Sequence, residues 1–201
     1  MENGLNEIFN RYSCRNFDDK AVEKSDIEII LKAAMQAPSA GNQQPWEFIV
    51  VDKADIIQKL CTVSPYSTPC KTAKCVIVVL GNNKLCKYPE NIDMDLSACS
   101  ENILLQATKL GLGTVWLGIA PLEDRMKNVR ELFNLGEEIR PFALIPVGYP
   151  KRDFKQKLRY DEKRVQLIKA RILVVKNIIE QVDKIIEEQE NINNLNKLII
   201  E

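Results

Sequence analysis

The stretch Ala37-Pro38-Ser39-Ala40-Gly41-Asn42-Gln43-Gln44-Pro45-Trp46-Glu47-Phe48-Ile49-Val50-Val51 changes character halfway along. Its first half collects proline, glycine and short polar side chains and reads as a loop. The second half, Glu47 to Val51, is apolar and β-branched and reads as a short buried strand. Just upstream, Ser25 and Glu28 make a capping-box pattern before Ile27, Ile30, Leu31 and Ala34, which predicts a helix ended by Pro38. Further upstream, Leu5, Ile8 and Phe9 sit at helical spacing in a short opening helix, and Arg11 to Phe17 loses that period and reads as extended.

Downstream the same alternation continues. Cys75 to Leu80 is a second core strand, and Asp93 to Leu110 is a long helix with Gly111 as its left-handed cap. Thr114 to Ile119 and Phe142 to Val147 read as two further strands, with a helix over Arg125 to Phe133 between them. Helices and strands alternating around one sheet predict a sheet layered between helices, with the strand directions left open. From Lys163 to Glu201 proline and glycine are absent and the pattern is helical throughout. Ile178, Ile185, Ile192 and Ile199 recur every seven residues, with Val175, Val182, Gln189 and Asn196 in the complementary seam position. That helix is either a dimer arm or a helix packed on its own domain.

At 201 residues, with 45% hydrophobic and 28% charged side chains, the chain fits one well-buried soluble domain. Its 28 basic and 28 acidic residues cancel, and no basic block is interleaved with aromatics, which argues against nucleic acid as a partner. The start of the chain lacks the pattern of a signal peptide and no apolar run reaches spanning length, so no membrane association and a cytoplasmic location are expected. The six cysteines form no CxxC pair and are expected to be free thiols, with no metal site. Histidine is absent, which removes Ser-His-Asp and Cys-His catalysis. An enzyme built this way draws its chemistry from a bound cofactor.

Arg11, Ser13 and Arg15 alternate in an extended segment and can present two guanidinium groups around a hydroxyl, a set suited to a phosphate; solvated surface charge is the plainer alternative. Asn42, Gln43 and Gln44 offer three amides beside Trp46, able to read the edge of a planar heterocycle or to form an ordinary polar turn over a core tryptophan. Gly111-Leu112-Gly113 follows a helix and does not join a strand to one, so it reads as helix termination and a tight turn, not a dinucleotide fingerprint. Gly118, at a strand end, suits close backbone approach to a ligand. Lys155, Lys157 and Arg159 form a second basic cluster.

RYSCRNF (11–17), APSAGNQQPWEFIVV (37–51), GLGTVWLG (111–118) and PFALIPVGYP (141–150), in that order, resemble the FMN-dependent nitroreductase family from about Asn6 to about Val165. The resemblance implies an α+β fold, a three-layer α/β/α sandwich around a mainly antiparallel sheet. It also implies an FMN-binding domain over 1–165, and the helical pattern of the tail then forms an extension over 166–201. Arg11 and Ser13 would hold the FMN phosphate, with Tyr12 in the same segment and Lys157 and Arg159 closing from the C-terminal side. Arg15 would lie near the flavin N1 and O2 atoms. Pro38, Ser39 and Asn42 would face the flavin from the partner subunit of a homodimer, and backbone at Leu117 and Gly118 would approach N5. Tyr12 stands where many members have a second basic residue, and nothing in the family aligns with the helical tail.

The activity so implied is two-electron, ping-pong reduction of nitroaromatics, quinones or similar small electrophiles by NADH or NADPH. No protein general acid is needed, and Arg15 supplies the electrostatic term. Two other readings stand beside it. One is a different flavin chemistry on the same fold, reductive dehalogenation or heterocycle oxidation, with Tyr66 and Tyr88 as lid candidates. The other is an FMN-binding protein without useful turnover.

Overall fold

The computed structural model describes residues 6–152, 156–166 and 170–200. They fall into two compact units, Met1–Lys157 and Leu158–Glu201. The first unit contains, in order, α1 (Asn6–Asn10), α2 (Lys24–Ala34), β1 (Trp46–Val51), α3 (Ala54–Leu60), β2 (Cys75–Asn82), α4 (Ile92–Lys109), β3 (Gly113–Thr114), β4 (Leu117–Gly118), α5 (Glu123–Phe133) and β5 (Ile139–Gly148). The second contains α6 (Ala170–Ile200).

The sheet runs β1-β2-β5-β3, with β4 also on β5, and all its strand pairs are antiparallel. Its middle strand pair explains the layering. β2 is buried from Cys75 to Gly81, and because strand side chains alternate, its two sets enter two different cores. Cys75, Ile77 and Val79 pack with Ile27 and Ile30 of α2 and with Leu96 and Ile103 of α4. Val76, Val78 and Leu80 pack with Ile57 and Leu60 of α3 and with Met126 and Val129 of α5. The helices therefore lie in two layers with the sheet between them, the three-layer, antiparallel arrangement expected.

Several local expectations are corrected. α2 begins at Lys24 with Glu23 as its cap residue and without a side-chain capping bond, so the Ser25–Glu28 capping box does not form. It ends at Ala34, before Pro38. The strand expected over Thr114 to Ile119 is two short pieces in one register. Gly113 faces Gly148 and Leu117 faces Leu144, which puts Val115 of the gap opposite Pro146. Proline has no N–H to give the ladder, and the edge strand breaks where it sits. Helix α3 stands where none was expected. The tail is not helical throughout either: Glu162–Arg164 is a single tight turn, and α6 starts at Ala170.

Gly111 does end α4, at φ 74, with the Leu112 N–H bonding back to the Ala107 carbonyl at 2.9 Å. Gly113 makes no turn and opens β3. At the other end of α4, Asp93 holds Arg140 of β5 through two bonds of 2.7 and 2.8 Å, and this paired carboxylate raises the guanidinium pKa. All six cysteines are free, and burial pushes the thiols of Cys70, Cys75 and Cys99 up to about 12. Among the described residues no group of side chains is placed to hold a metal, and no helix is long and apolar enough to cross a membrane.

Candidate functional site

The segment after α1 lies along the β3 edge of the sheet. Cys14 donates its main-chain N–H to Thr114 at 2.9 Å, and Ser13 bridges Thr114 in parallel. Cys14 and Phe17 point inward and are buried, which turns the alternate positions Ser13 and Arg15 outward. Arg15 remains exposed, its Nη1 donating to the Ser13 carbonyl at 3.3 Å. Arg11 is more enclosed, with a side chain 20% exposed and its Nε 3.4 Å from Glu101 on α4. Its main chain is fastened at both ends: the N–H donates to Glu7 at 2.8 Å, and the carbonyl accepts from the Gln156 amide at 3.0 Å. That bond brings Gln156 beside Arg11, with the exposed Lys157 next in sequence. Tyr12 donates its hydroxyl to the Arg152 carbonyl at 3.1 Å.

Farther along the same edge, Leu117 is buried and Gly118 exposed. A Cβ placed on Gly118 would meet no atom nearer than 4.0 Å, so the glycine leaves open space over its own backbone. Its carbonyl is held by Arg125 Nη1 at 3.0 Å. Just beyond it β5 bulges, the register slipping between Val79 and Leu80 so that Phe142 is the extra residue. The Phe142 carbonyl accepts the N–H groups of both Ile119 and Ala120 at 3.0 Å. Trp116 meets the Phe142 ring edge-on at 5.5 Å.

The loop before β1 is at a different corner. Trp46 pairs with Gly81 and Gly81 with Arg140, whereas Thr114 pairs with Val147. With three strand spacings across and seven residues along, Trp46 and Thr114 are roughly 25 Å apart. Arg11, Ser13, Arg15 and Gly118 thus lie toward the β3–β4 edge, and Pro38, Ser39 and Asn42 lie in the loop that enters β1 at the opposite edge. Pro38 and Asn42 are exposed and Ser39 half-buried. Gly41, Asn42 and Gln44 adopt left-handed backbone at φ 53, 56 and 48. A side chain at Gly41 would also strike the Tyr88 ring, 2.6 Å from where its Cβ would stand.

The three amides of this loop do not share one role. Gln44 donates its side-chain NH₂ to Asn42 at 2.9 Å and its main-chain N–H to Ser39 Oγ at 3.0 Å. Gln43 is buried and turned away from solvent, bonded to Asp95, Lys87 and Tyr88, and so is removed from any ligand-facing set. Trp46 is buried in the core, as the plainer of the two readings had it. Arg159 belongs to the second unit, where it is exposed, and Lys155 lies outside the described residues. Sequence reasoning missed Asp95, Arg125 and Gln156. Only Asp95 carried a usable signal, a charge in helical register with the apolar Ile92, Cys99 and Ile103.

The β3 edge suits a flavin nucleotide by its donor set. Arg11 meets Glu101 through Nε, Ser13 and Arg15 follow it as exposed side chains of the same extended segment, and the open backbone at Gly118 provides a flat approach without a side chain. These groups are acceptor-seeking and planar, which matches a phosphate joined to a heterocycle.

A sheet between two helical layers, with a basic and hydroxyl-bearing edge, defines the class, and comparison with known proteins gives the family. The Nitroreductase family model matches residues 8–67 and 66–149, and this chain belongs to the nitroreductase family. A protein of Archaeoglobus fulgidus, provisionally named an NADH dehydrogenase/NAD(P)H nitroreductase, is 46% identical over 157 residues, covering 77% of this chain and 90% of that one. A solved structure from Clostridium acetobutylicum, provisionally named an NADH oxidase, superposes with a TM-score of 0.79 at 50% identity, over 81% of this chain and 99% of that one. A nitroreductase from Desulfovibrio desulfuricans, provisionally so named and solved in complex with FMN, gives 0.73 at 27% identity, over 84% and 99%. Both solved chains are matched over nearly their whole length, and part of this chain lies outside each match.

Proposed function

We propose that the protein is an FMN-dependent NAD(P)H oxidoreductase that reduces nitroaromatics, quinones or similar small electrophiles by two electrons. The observation that carries this is the sheet edge on which the segment of Arg11, Ser13 and Arg15 bridges Thr114 and the open backbone at Gly118 lies farther along. The FMN-bound relative supports it from outside. Bound FMN would supply the hydride chemistry, with donor and acceptor using one slot in turn. Arg11 and Ser13 would hold the phosphate, with Lys157 adding positive charge. Arg15 would stabilise negative charge near N1 and O2. Arg125 would fix the carbonyl of Gly118, keeping that backbone in one orientation as Leu117 and Gly118 line the ring.

The functional unit in this reading is a homodimer. The loop that carries Ser39 and Asn42 enters β1, at the opposite edge of the sheet from β3, and a second copy would supply it. An open groove of about 770 Å³ between α1, α2 and α4, lined by Ile8, Ile29, Ala33 and Leu105, is the kind of apolar surface that a partner covers. α6 is a candidate arm in the same assembly, since Val175, Ile178, Val182, Ile185 and Ile192 are all exposed at seam spacing.

The test is the visible absorption spectrum of the purified protein, with sedimentation at micromolar concentration. Flavin bands on a dimer are expected. A colourless protein that cannot be reconstituted with FMN would overturn the reading, and a monomer that binds FMN stoichiometrically would overturn the shared site. A protein that holds FMN and oxidises neither NADH nor NADPH with any acceptor would be a binding protein only.

A further inference from the structure

Asp95 is a buried carboxylate, 4% exposed, in the first turn of α4, where the helix N-terminus favours an anion. One oxygen accepts the Ala40 N–H at 2.9 Å and the other accepts Gln43 Nε2 at 2.6 Å. Gln43 is itself buried, at 8%. Its oxygen accepts the N–H groups of Lys87 and Tyr88, both at 2.9 Å, and its nitrogen also donates to the Tyr88 carbonyl at 3.2 Å. Two N–H groups on one side, and a carboxylate with a carbonyl on the other, leave the amide a single orientation. The loop it anchors runs through left-handed backbone at Gly41, Asn42 and Gln44, a conformation that a free chain of these residues does not keep.

We infer that Asp95 is a positioning residue for flavin binding: through Ala40 and Gln43 it holds the 39–44 loop in the one arrangement that presents Ser39 and Asn42. The inference rests on the proposed FMN site, and nothing in it requires Asp95 to touch the ligand.

The bonding pattern provides its own test. In Asp95→Asn the new NH₂ faces either the Ala40 N–H or Gln43 Nε2, donor against donor, and the second orientation keeps the Ala40 bond. Turning Gln43 over relieves that clash and sets its NH₂ against the Lys87 and Tyr88 N–H groups, so neither arrangement is satisfied. In the double variant Gln43→Glu/Asp95→Asn the carboxylate has only changed sides. Glu at 43 accepts from Lys87, Tyr88 and the new amide, Asn at 95 still accepts from Ala40, and the bond to the Tyr88 carbonyl is the one lost.

The measurements are FMN affinity of the apo-dimers by fluorescence quenching, the visible circular dichroism of bound flavin, and amide hydrogen exchange at Ala40. Asp95→Asn is expected to weaken FMN by at least about tenfold, alter the flavin dichroism and speed exchange at Ala40. The double variant is expected to restore all three most of the way. A folded Asp95→Asn protein with wild-type affinity and wild-type exchange would overturn the inference. So would a double variant no better than the single one, and that comparison decides the matter if Asp95→Asn fails to fold. A wild-type protein that binds no FMN sinks the proposed function instead, and exchange at Ala40 still tests whether Asp95 holds the loop.

Discussion

Arg11→Gln separates the two halves of the proposed ligand. The Arg11 side chain is 20% exposed, so a contact from it to a phosphate is partly shielded from solvent. Removing a charge-assisted hydrogen bond of that kind costs about 1.5 to 3 kcal/mol, a loss of roughly ten- to a hundredfold in affinity. The fold has little at stake. Both main-chain bonds of Arg11 survive the change, and the pair with the 47% exposed Glu101 contributes at most about 1 kcal/mol. The assay is fluorescence titration of the apo-variant with FMN and riboflavin in parallel, beside thermal unfolding. FMN binding should fall by the stated factor, while riboflavin binding, without a phosphate to lose, and the melting temperature should hardly move. Equal weakening of both ligands would refute the phosphate role, as would unchanged FMN binding.

Arg15→Gln should act on flavin electronics more than on retention, because a phosphate is charged throughout whereas N1 gains charge only on reduction. A lower reduction potential and roughly ten- to a hundredfold slower reduction by NAD(P)H are expected, with FMN still largely bound. Potentiometric titration and stopped-flow reduction decide it, and an unchanged potential with an unchanged rate would mean that Arg15 is placed wrongly. Cys70, Cys75 and Cys99, their thiols pushed up to about 12 by burial, hold almost no thiolate near neutral pH. Alkylation followed by mass spectrometry at about pH 8 should leave all three unlabelled until the protein is unfolded, and rapid labelling of the native protein would show that they are not enclosed. Truncation before Ile172 should weaken the dimer by removing the isoleucine seam. If sedimentation finds the same dissociation constant, α6 has no part in assembly.

What the sequence disclosed depended on how local the cause was. The β2 run Cys75 to Leu80, the α4 helix and its Gly111 cap were legible because periodicity and a left-handed glycine act over a few residues. Helix α3 was not, being only seven residues long with Lys53 at its cap position and two buried side chains, Ile57 and Leu60, to mark a period. The broken edge strand escaped because its cause, Pro146, sits on a different strand from the gap it makes. The inward turn of Gln43, one of three amides that could face a ligand or form a polar turn, was illegible for the same reason: its partners Asp95 and Tyr88 lie 52 and 45 residues away, and nothing local turns it inward. Ser13 and Arg15 turn outward because the bridge at Thr114 keeps that segment extended.

The most direct measurement on the central claim is anaerobic mixing of the purified protein, loaded with FMN, with NADH or NADPH, followed by an electrophilic acceptor such as a quinone. Loss of the visible flavin absorbance with the pyridine nucleotide, and its recovery on addition of the acceptor, is the result this account predicts. A flavin that neither nucleotide bleaches would contradict it.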